Sequence, residues 1–239
     1  MSLQGVFITG TDTGVGKTVV ASVVLVALRR TGLDAVPMKP VQTGCRRRAG
    51  GWRAPDLEFC LRAAGLRPGA PEQKWMAPYC FGPACSPHLA AERAGVRISP
   101  DRIRTCFAQL ADKHEFVVVE GAGGVLVPLG GGRTMADLMR KLRLPVLLVA
   151  RPGLGTINHT LLSLRELERS GVEVLGVVLN AAGLGKAGWI ERSNRTTIER
   201  MSGTPVLGYL PYQVPGAQRL QAESLGPLLA RLQARGAGC

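Results

Sequence analysis

Four ionisable residues attract attention, three of them at the junctions of apolar runs with glycine-containing turns and one at an expected helix start. Lys17 lies in GTDTGVGKT, Gly10–Thr18, between a strand-like and a helix-like segment. Glycines there let backbone N–H groups approach phosphate oxygens, and a helix N-terminus favours the negative charge. Lys17 would reach the outer phosphates, and the Thr18 hydroxyl would take Mg2+. The strict GxxxxGK[ST] spacing fails by one place: Thr11 stands where the first glycine belongs, and Gly10 lies one residue earlier. The strand–loop–helix setting outweighs that departure. Nucleotide binding follows, but not a reaction, because partitioning ATPases, metal-centre chaperones and ligases share such loops.

Lys39 lies in MKPVQTG, Met38–Gly44, at the end of a second strand. Ligands of open α/β sheets bind at strand carboxyl ends, so Lys39 is either a second cation beside Lys17 or a solvated lysine. Glu120 ends a third strand in FVVVEGAGG, Phe116–Gly124. A carboxylate there can meet Mg2+ opposite Thr18, since that ion prefers oxygen ligands and commonly takes one or two carboxylates plus phosphate. Asp56, at an expected helix start, is the best second carboxylate, though the position also suits a helix cap. Gly155, Thr156 and Asn158 open a later helix whose N–H groups suit a carboxylate. His88 follows Ser86 and Pro87 and reads as a first-turn residue, with Ser capping and Pro in the first helical position. His159 falls in a helical pattern. No general base is evident.

These groups need a sheet to position them. Apolar runs at Val6–Thr9, Ala35–Lys39, Phe116–Glu120, Pro145–Ala150, Val172–Asn180 and Pro205–Leu210 read as strands. Several are continuous, as parallel strands covered on both faces are. Helical spacing is met at Lys17–Arg30, Asp101–Lys113, Asn158–Ser170, Lys186–Met201 and Leu220–Arg235. The alternation predicts an α/β fold: a doubly wound, mostly parallel sheet with helices on both faces, of the P-loop NTPase type. Residues 1–239 are expected to form one domain. Cys45–Ile98, rich in Pro, Gly and Arg, reads as an excursion with short helices at Asp56–Ala64 and Pro87–Ala94. Gly130–Gly132 reads as a flexible loop.

The chain has 239 residues, 46% of them hydrophobic, enough for a large core. No apolar run approaches a membrane span and the start is not a signal peptide, so a cytoplasmic enzyme without membrane partners is expected. The six cysteines show no zinc spacing and read as free thiols, mostly packing groups. A net charge of +13 admits a polyanion partner, but aromatics are only 5% and the sole dense cluster is Arg46–Arg48. An arginine-rich composition, with no nucleic-acid partner, is the reading preferred.

The motifs together resemble the dethiobiotin synthetase family over nearly the whole chain. GTDTGVGKT matches that family's loop, displaced glycine included, and KPVQTG matches its KPV-x-[ST]-G segment. The Asp56 region, CSPH (Cys85–His88), VEGAGG, TMAD (Thr134–Asp137), LGTINH (Leu154–His159), VVLN ending at Asn180 and LGYLP (Leu207–Pro211) follow in family order. The resemblance implies an ATP-dependent ligase that closes a cyclic urea from 7,8-diaminononanoate and CO2, through a carbamate and its phosphoric anhydride. It implies ATP contacts from Gly14, Val15, Gly16, Lys17, Thr18, Val19, Asp56, Glu120, Gly121, Ala122, Gly123 and Asn180, with Pro211, Tyr212 and Gln213 at the base. Lys17, Lys39 and Thr13 would be catalytic, Thr43 a substrate contact, and Thr18, Asp56 and Glu120 the Mg2+ ligands. Gly155, Thr156 and Asn158 would reach the substrate carboxylate across a homodimer interface.

Overall fold

The computed structural model describes residues 4–48, 51–181, 188–212 and 226–236. In chain order the elements are β1 (Gly5–Gly10), α1 (Lys17–Arg30), β2 (Ala35–Met38), β3 (Val41–Gln42), β4 (Arg46–Arg48), β5 (Gly51–Arg53), α2 (Pro55–Ala63), α3 (Ala70–Met76), β6 (Tyr79–Cys80), α4 (Pro87–Arg93) and α5 (Pro100–Ala111). There follow β7 (Phe116–Gly124), β8 (Pro128–Gly130), β9 (Arg133–Thr134), α6 (Met135–Leu142), β10 (Val146–Ala150), α7 (Thr156–Arg169), β11 (Val174–Asn180), α8 (Trp189–Ser202), β12 (Val206–Leu210) and α9 (Gly226–Gly236).

Six strands form one sheet in the order β12-β11-β10-β1-β7-β2. Every pairing in it is parallel. Each strand is the apolar run read from sequence, because only residues such as Val6, Phe7, Ile8 and Val146–Val149 can fill positions buried on both faces. One face packs α5, α6 and α7 over Val117, Val119 and Leu148. The other packs α1 and Leu228 and Leu232 of α9 over Val6, Ile8 and Val149. The fold is therefore doubly wound α/β. Winding reverses at β1, which lies between β7 and β10, so the crevice at its carboxyl end is the topological switch point.

Some details depart from the sequence reading. Helix α7 begins at Thr156 rather than Asn158, and β7 runs on past Glu120 to Gly124. Lys186 and Leu220, the expected starts of the last two helices, lie outside the described residues, and those helices are described from Trp189 and Gly226. Helices α3 and α6 were not expected. Gly130–Gly132 forms the turn between the antiparallel β8 and β9. Arg46–Arg48 is a strand paired antiparallel to β5. The 45–98 excursion carries α2, α3, α4 and β6, which pairs with β3 just before it, and packs Leu57, Leu61, Met76 and Tyr79 into the core.

Candidate active site

The glycine-rich loop leaves β1 and enters α1 at Lys17. Gly16 stands at the helix N-cap with φ +91°, a backbone state that L side chains avoid. A side chain there would also strike Asn180, whose amide closes on the same spot. Asn180, 6% exposed at the end of β11, donates from Nδ2 to the Val15 carbonyl at 3.0 Å and so staples the loop to the sheet. The displaced glycine has a packing reason. A Cβ on Gly10 would lie 2.7 Å from Val15 Cγ2 and 3.2 Å from Lys17 Cδ, so the loop folds back across this residue. Thr11, in the consensus glycine's place, needs no such room, and its N–H donates to the Val149 carbonyl at 2.9 Å.

Asp12 organises the loop's outer side. Its carboxylate accepts from its neighbour Thr13 N–H at 2.7 Å and from Arg151 at 3.1 Å, and its carbonyl accepts from Lys17 Nζ at 2.8 Å. Burial, with the Lys39 ammonium beside it, pulls the Lys17 ammonium down to about 8, against the raising influence of Glu120, Asp56 and Asp12. A phosphate brought to Lys17 would push that value back up by favouring the charged form.

The second cluster gathers around Lys39, which follows β2 and is 4% exposed. Its ammonium lies 2.7 Å from Glu120 Oε1 and 2.7 Å from Asp56 Oδ2, and donates to the Gly121 carbonyl at 3.1 Å. Burial alone would lower the Lys39 ammonium, but the two carboxylates outweigh it and hold it raised. Burial pushes the Glu120 carboxyl up, with Lys39 opposing. Thr18 Oγ1 donates to the same Glu120 oxygen at 2.8 Å. Lys39 is thus not a solvated lysine. Asp56 is not a helix cap either: it sits at the second position of α2, Ala54 holds the cap position, and the Asp56 side chain turns to Lys39.

Gln42 was not singled out in the sequence. Its Nε2 donates to Asp56 Oδ2 at 3.2 Å and to the Thr43 carbonyl at 3.0 Å, while its Oε1 accepts from Asp56 N–H at 3.3 Å. Its position inside KPVQTG was the available signal. Arg151, reaching Asp12 from the end of β10, had no signal at all.

Of the expected metal ligands, Asp56 and Glu120 share the Lys39 ammonium and Thr18 donates to Glu120, so the three lie together. Their hydroxyl and carboxylate oxygens are hard donors of the kind Mg2+ takes with phosphate and water, so the donor set fits that ion. No group of three or more His, Cys, Asp or Glu among the described residues would cage a metal unaided. Thr13 Oγ1 lies 3.5 Å from where a Cβ of Gly123 would stand, which puts the VEGAGG turn beside the loop. Thr43 is partly buried next to the Gln42–Asp56 pair. At α7, Gly155 is the N-cap, Asn158 is exposed, and Thr156 is buried with its hydroxyl 3.3 Å from that of Thr160. Thr156 therefore has no free side chain to offer. Pro211 and Tyr212 are partly buried after β12, and Gln213 lies outside the described residues. Ser86 occupies the α4 cap position without a side-chain cap bond, and the His88 Nδ1 is buried with no hydrogen-bond partner. Cys45, Cys60, Cys80, Cys85 and Cys106 are free thiols.

A family model described as an AAA domain matches residues 4–216. The "ATP-dependent dethiobiotin synthetase BioD" of Anaeromyxobacter dehalogenans (strain 2CP-C) is 43% identical over 228 residues, spanning 95% of this chain and 98% of the relative. The protein of the same name from Anoxybacillus flavithermus (strain DSM 21510 / WK1) is 39% identical over 211 residues, 88% of this chain and 92% of its own. The chain belongs to the dethiobiotin synthetase family. Among solved structures it is similar to the MinC:MinD cell division protein complex of Aquifex aeolicus, with TM-score 0.62 and 14% identity over 97% of this chain and 96% of that one. The Pyrococcus furiosus cell division ATPase MinD gives TM-score 0.60 and 15% identity over 97% and 99%. At such identities these show the fold alone, that of P-loop NTPases. For a dethiobiotin synthetase family chain, the lesser motifs now have physical content. TMAD starts α6, with Asp137 Oδ2 accepting from Thr134 N–H at 2.8 Å, and VVLN delivers Asn180 to the loop.

Proposed function

We propose that the chain is an ATP-dependent dethiobiotin synthetase, converting 7,8-diaminononanoate, CO2 and ATP into dethiobiotin, ADP and phosphate. The observation that carries this reading is Lys39, a buried ammonium held between Glu120 and Asp56 at 2.7 Å from each and set beside the loop lysine. Two cations at one crevice suit a reaction that gathers triphosphate oxygens and a second anion.

One amine of the substrate combines with CO2 to form a carbamate and releases a proton. A carbamate oxygen attacks the γ-phosphorus of ATP, forming the carbamic–phosphoric anhydride and expelling ADP. The second amine then attacks the carbonyl carbon, phosphate leaves, and the ring closes as that amine loses its proton. Lys17 stabilises charge on the transferring phosphoryl group, and Lys39 and the Thr13 and Thr43 hydroxyls steady the carbamate. Gly14, Val15, Gly16, Thr18 and Val19 hold the phosphates, with Gly121, Ala122 and Gly123 closing over them. Thr18, Asp56 and Glu120 would hold Mg2+, which when bound would supply charge neutralisation at the phosphate oxygens. Asn180 spends its Nδ2 on the loop and offers Oδ1 to the adenine amine, beside Pro211, Tyr212 and Gln213. Gly155 and Asn158 serve the substrate carboxylate through backbone N–H groups of a partner copy in a homodimer, while Thr156, whose N–H donates to the Gly153 carbonyl at 3.2 Å, shapes that helix start. The setting is the cytoplasm; no described helix is long and apolar enough to cross a membrane.

The test is mass spectrometry of a reaction holding the protein, Mg2+, ATP, bicarbonate and 7,8-diaminononanoate. A product heavier than the diamine by one carbonyl and lighter by two hydrogens, formed with ADP, is expected. ADP release indifferent to the diamine, with no such product, would favour a nucleotide-switched ATPase instead.

A further inference from the structure

A groove of about 1020 Å³ lies between α5 and α6, away from Lys17, Lys39 and Glu120, none of which lines it. Arg97, Arg104, Arg133, Arg140, Lys141 and Arg143 line it against only Asp101, Asp112 and Asp137. Two of those acids are already engaged from within. Lys141 pairs with Asp101 at 2.7 Å, and Arg140 pairs with Asp137 at 3.1 Å while Asp137 also starts α6. Arg97, Arg104, Arg133 and Arg143 have no ion-pair partner among the described residues. Arg104 and Arg133 still act on Asp101 from beyond contact distance, but six cations against three carboxylates leave the groove with a surplus of positive charge.

Two of them converge. Arg133 Nη1 and Arg97 Nη2 lie 3.6 Å and 3.7 Å from the point where a Cβ of Gly131 would stand, so both reach one patch that a side chain would fill. Like charges brought to one concave surface repel unless an anion lies between them. Guanidiniums present forked donors that match phosphate oxygens in pairs. The volume is that of a site for a nucleotide-sized molecule rather than a track for a long polymer. We propose that this groove is a second anion site, taking a small molecule with two or more linked phosphates, seated on Arg97 and Arg133 and followed along the groove by Arg104 and Arg143.

The test is calorimetric titration of tripolyphosphate into the full chain after its phosphate loop is saturated with a non-hydrolysable ATP analogue and Mg2+. One further site per chain is expected. The double variant Arg97→Gln/Arg133→Gln should weaken it at least tenfold. Arg30→Gln/Arg62→Gln, which removes the same charge outside the groove, should leave it unchanged. A nucleoside diphosphate titrated in the same way distinguishes a nucleotide ligand from free polyphosphate, and binding of either supports the site. No additional site, or equal weakening in both double variants, would overturn the proposal. So would a DNA duplex that binds through Arg97 and Arg133 while tripolyphosphate does not.

Discussion

At the scale of single residues, the centre of the site is a buried ammonium with two carboxylate partners, Glu120 buried and Asp56 partly exposed. Such a group is strongly coupled to its surroundings, and removing one member of a buried ion pair costs about 3–5 kcal/mol by leaving the others uncompensated. Lys39→Ala is therefore expected to act twice. Turnover should fall by at least about a thousandfold, as for loss of a transition-state cation, and the melting temperature should drop as Glu120 and Asp56 lose their counter-ion. Steady-state kinetics beside a thermal scan will separate the two, and near-normal turnover would remove Lys39 from the catalytic set. The residue types at this centre were readable in advance, since lysine and glutamate ending apolar runs have few other reasons to be there. Gln42 was not readable. Its value lies in spanning Asp56 and Thr43 at once, which depends on how α2 docks rather than on local pattern.

Among elements, the six sheet strands followed from continuous apolar runs because burial on both faces leaves no other composition. Helix α6 was missed although Met135, Leu138, Met139 and Leu142 are buried at helical spacing. The run is only eight residues long, and its cap, Thr134 with Asp137, was read as a family motif rather than as a helix start. Helix α3 is shorter still. The loop between β1 and α1 allows a sharper statement. Gly16→Ala would place a methyl group against Asn180 at φ +91°, so ATP binding should weaken by about a hundredfold or more, consistent with roughly 1–3 kcal/mol of backbone strain plus the clash. Calorimetric titration with ATP measures it.

The joint between β2, α3 and the end of α5 supplies a dependence on pH. His114 places its two ring nitrogens 2.7 Å from Asp34 and 3.1 Å from Glu72. Burial raises the Asp34 carboxyl, but the His114 and Arg29 hydrogen bonds prevail and hold it below its usual 3.8. With the folded value depressed, the stabilisation is complete above the unfolded value and fades as pH falls through the folded one. Asp34 is half exposed, so its contribution is at most about 1 kcal/mol. Asp34→Asn should unfold more easily than the wild type at pH 7, with the gap closing below about pH 4. Urea melts across that range will show it.

Over the whole molecule, sequence reading foresaw the doubly wound sheet but not where the chain's charge collects, because six cationic side chains from α5, α6 and their flanking loops meet only in three dimensions. The homodimer proposed above also belongs to this scale. Leu154, 96% exposed beside the α7 N-cap, and Leu162, 57% exposed on the same helix, offer an apolar surface there. If the proposed dimer forms through this surface, Leu154→Asp should give a monomer by light scattering and raise the KM for the diamine about tenfold or more, with ATP affinity unchanged. A wild-type monomer with full activity would refute the shared site. The placement of β1 has one more consequence, for synthesis of the chain. Strand β1 is one of the two central strands, and it pairs with β7 and β10, which emerge from the ribosome more than a hundred residues after it. The phosphate loop waits longer, for Asn180. Until then the nascent chain carries an apolar strand with both edges open, and its need for chaperones should peak during translation of the 45–98 excursion, before either neighbour exists.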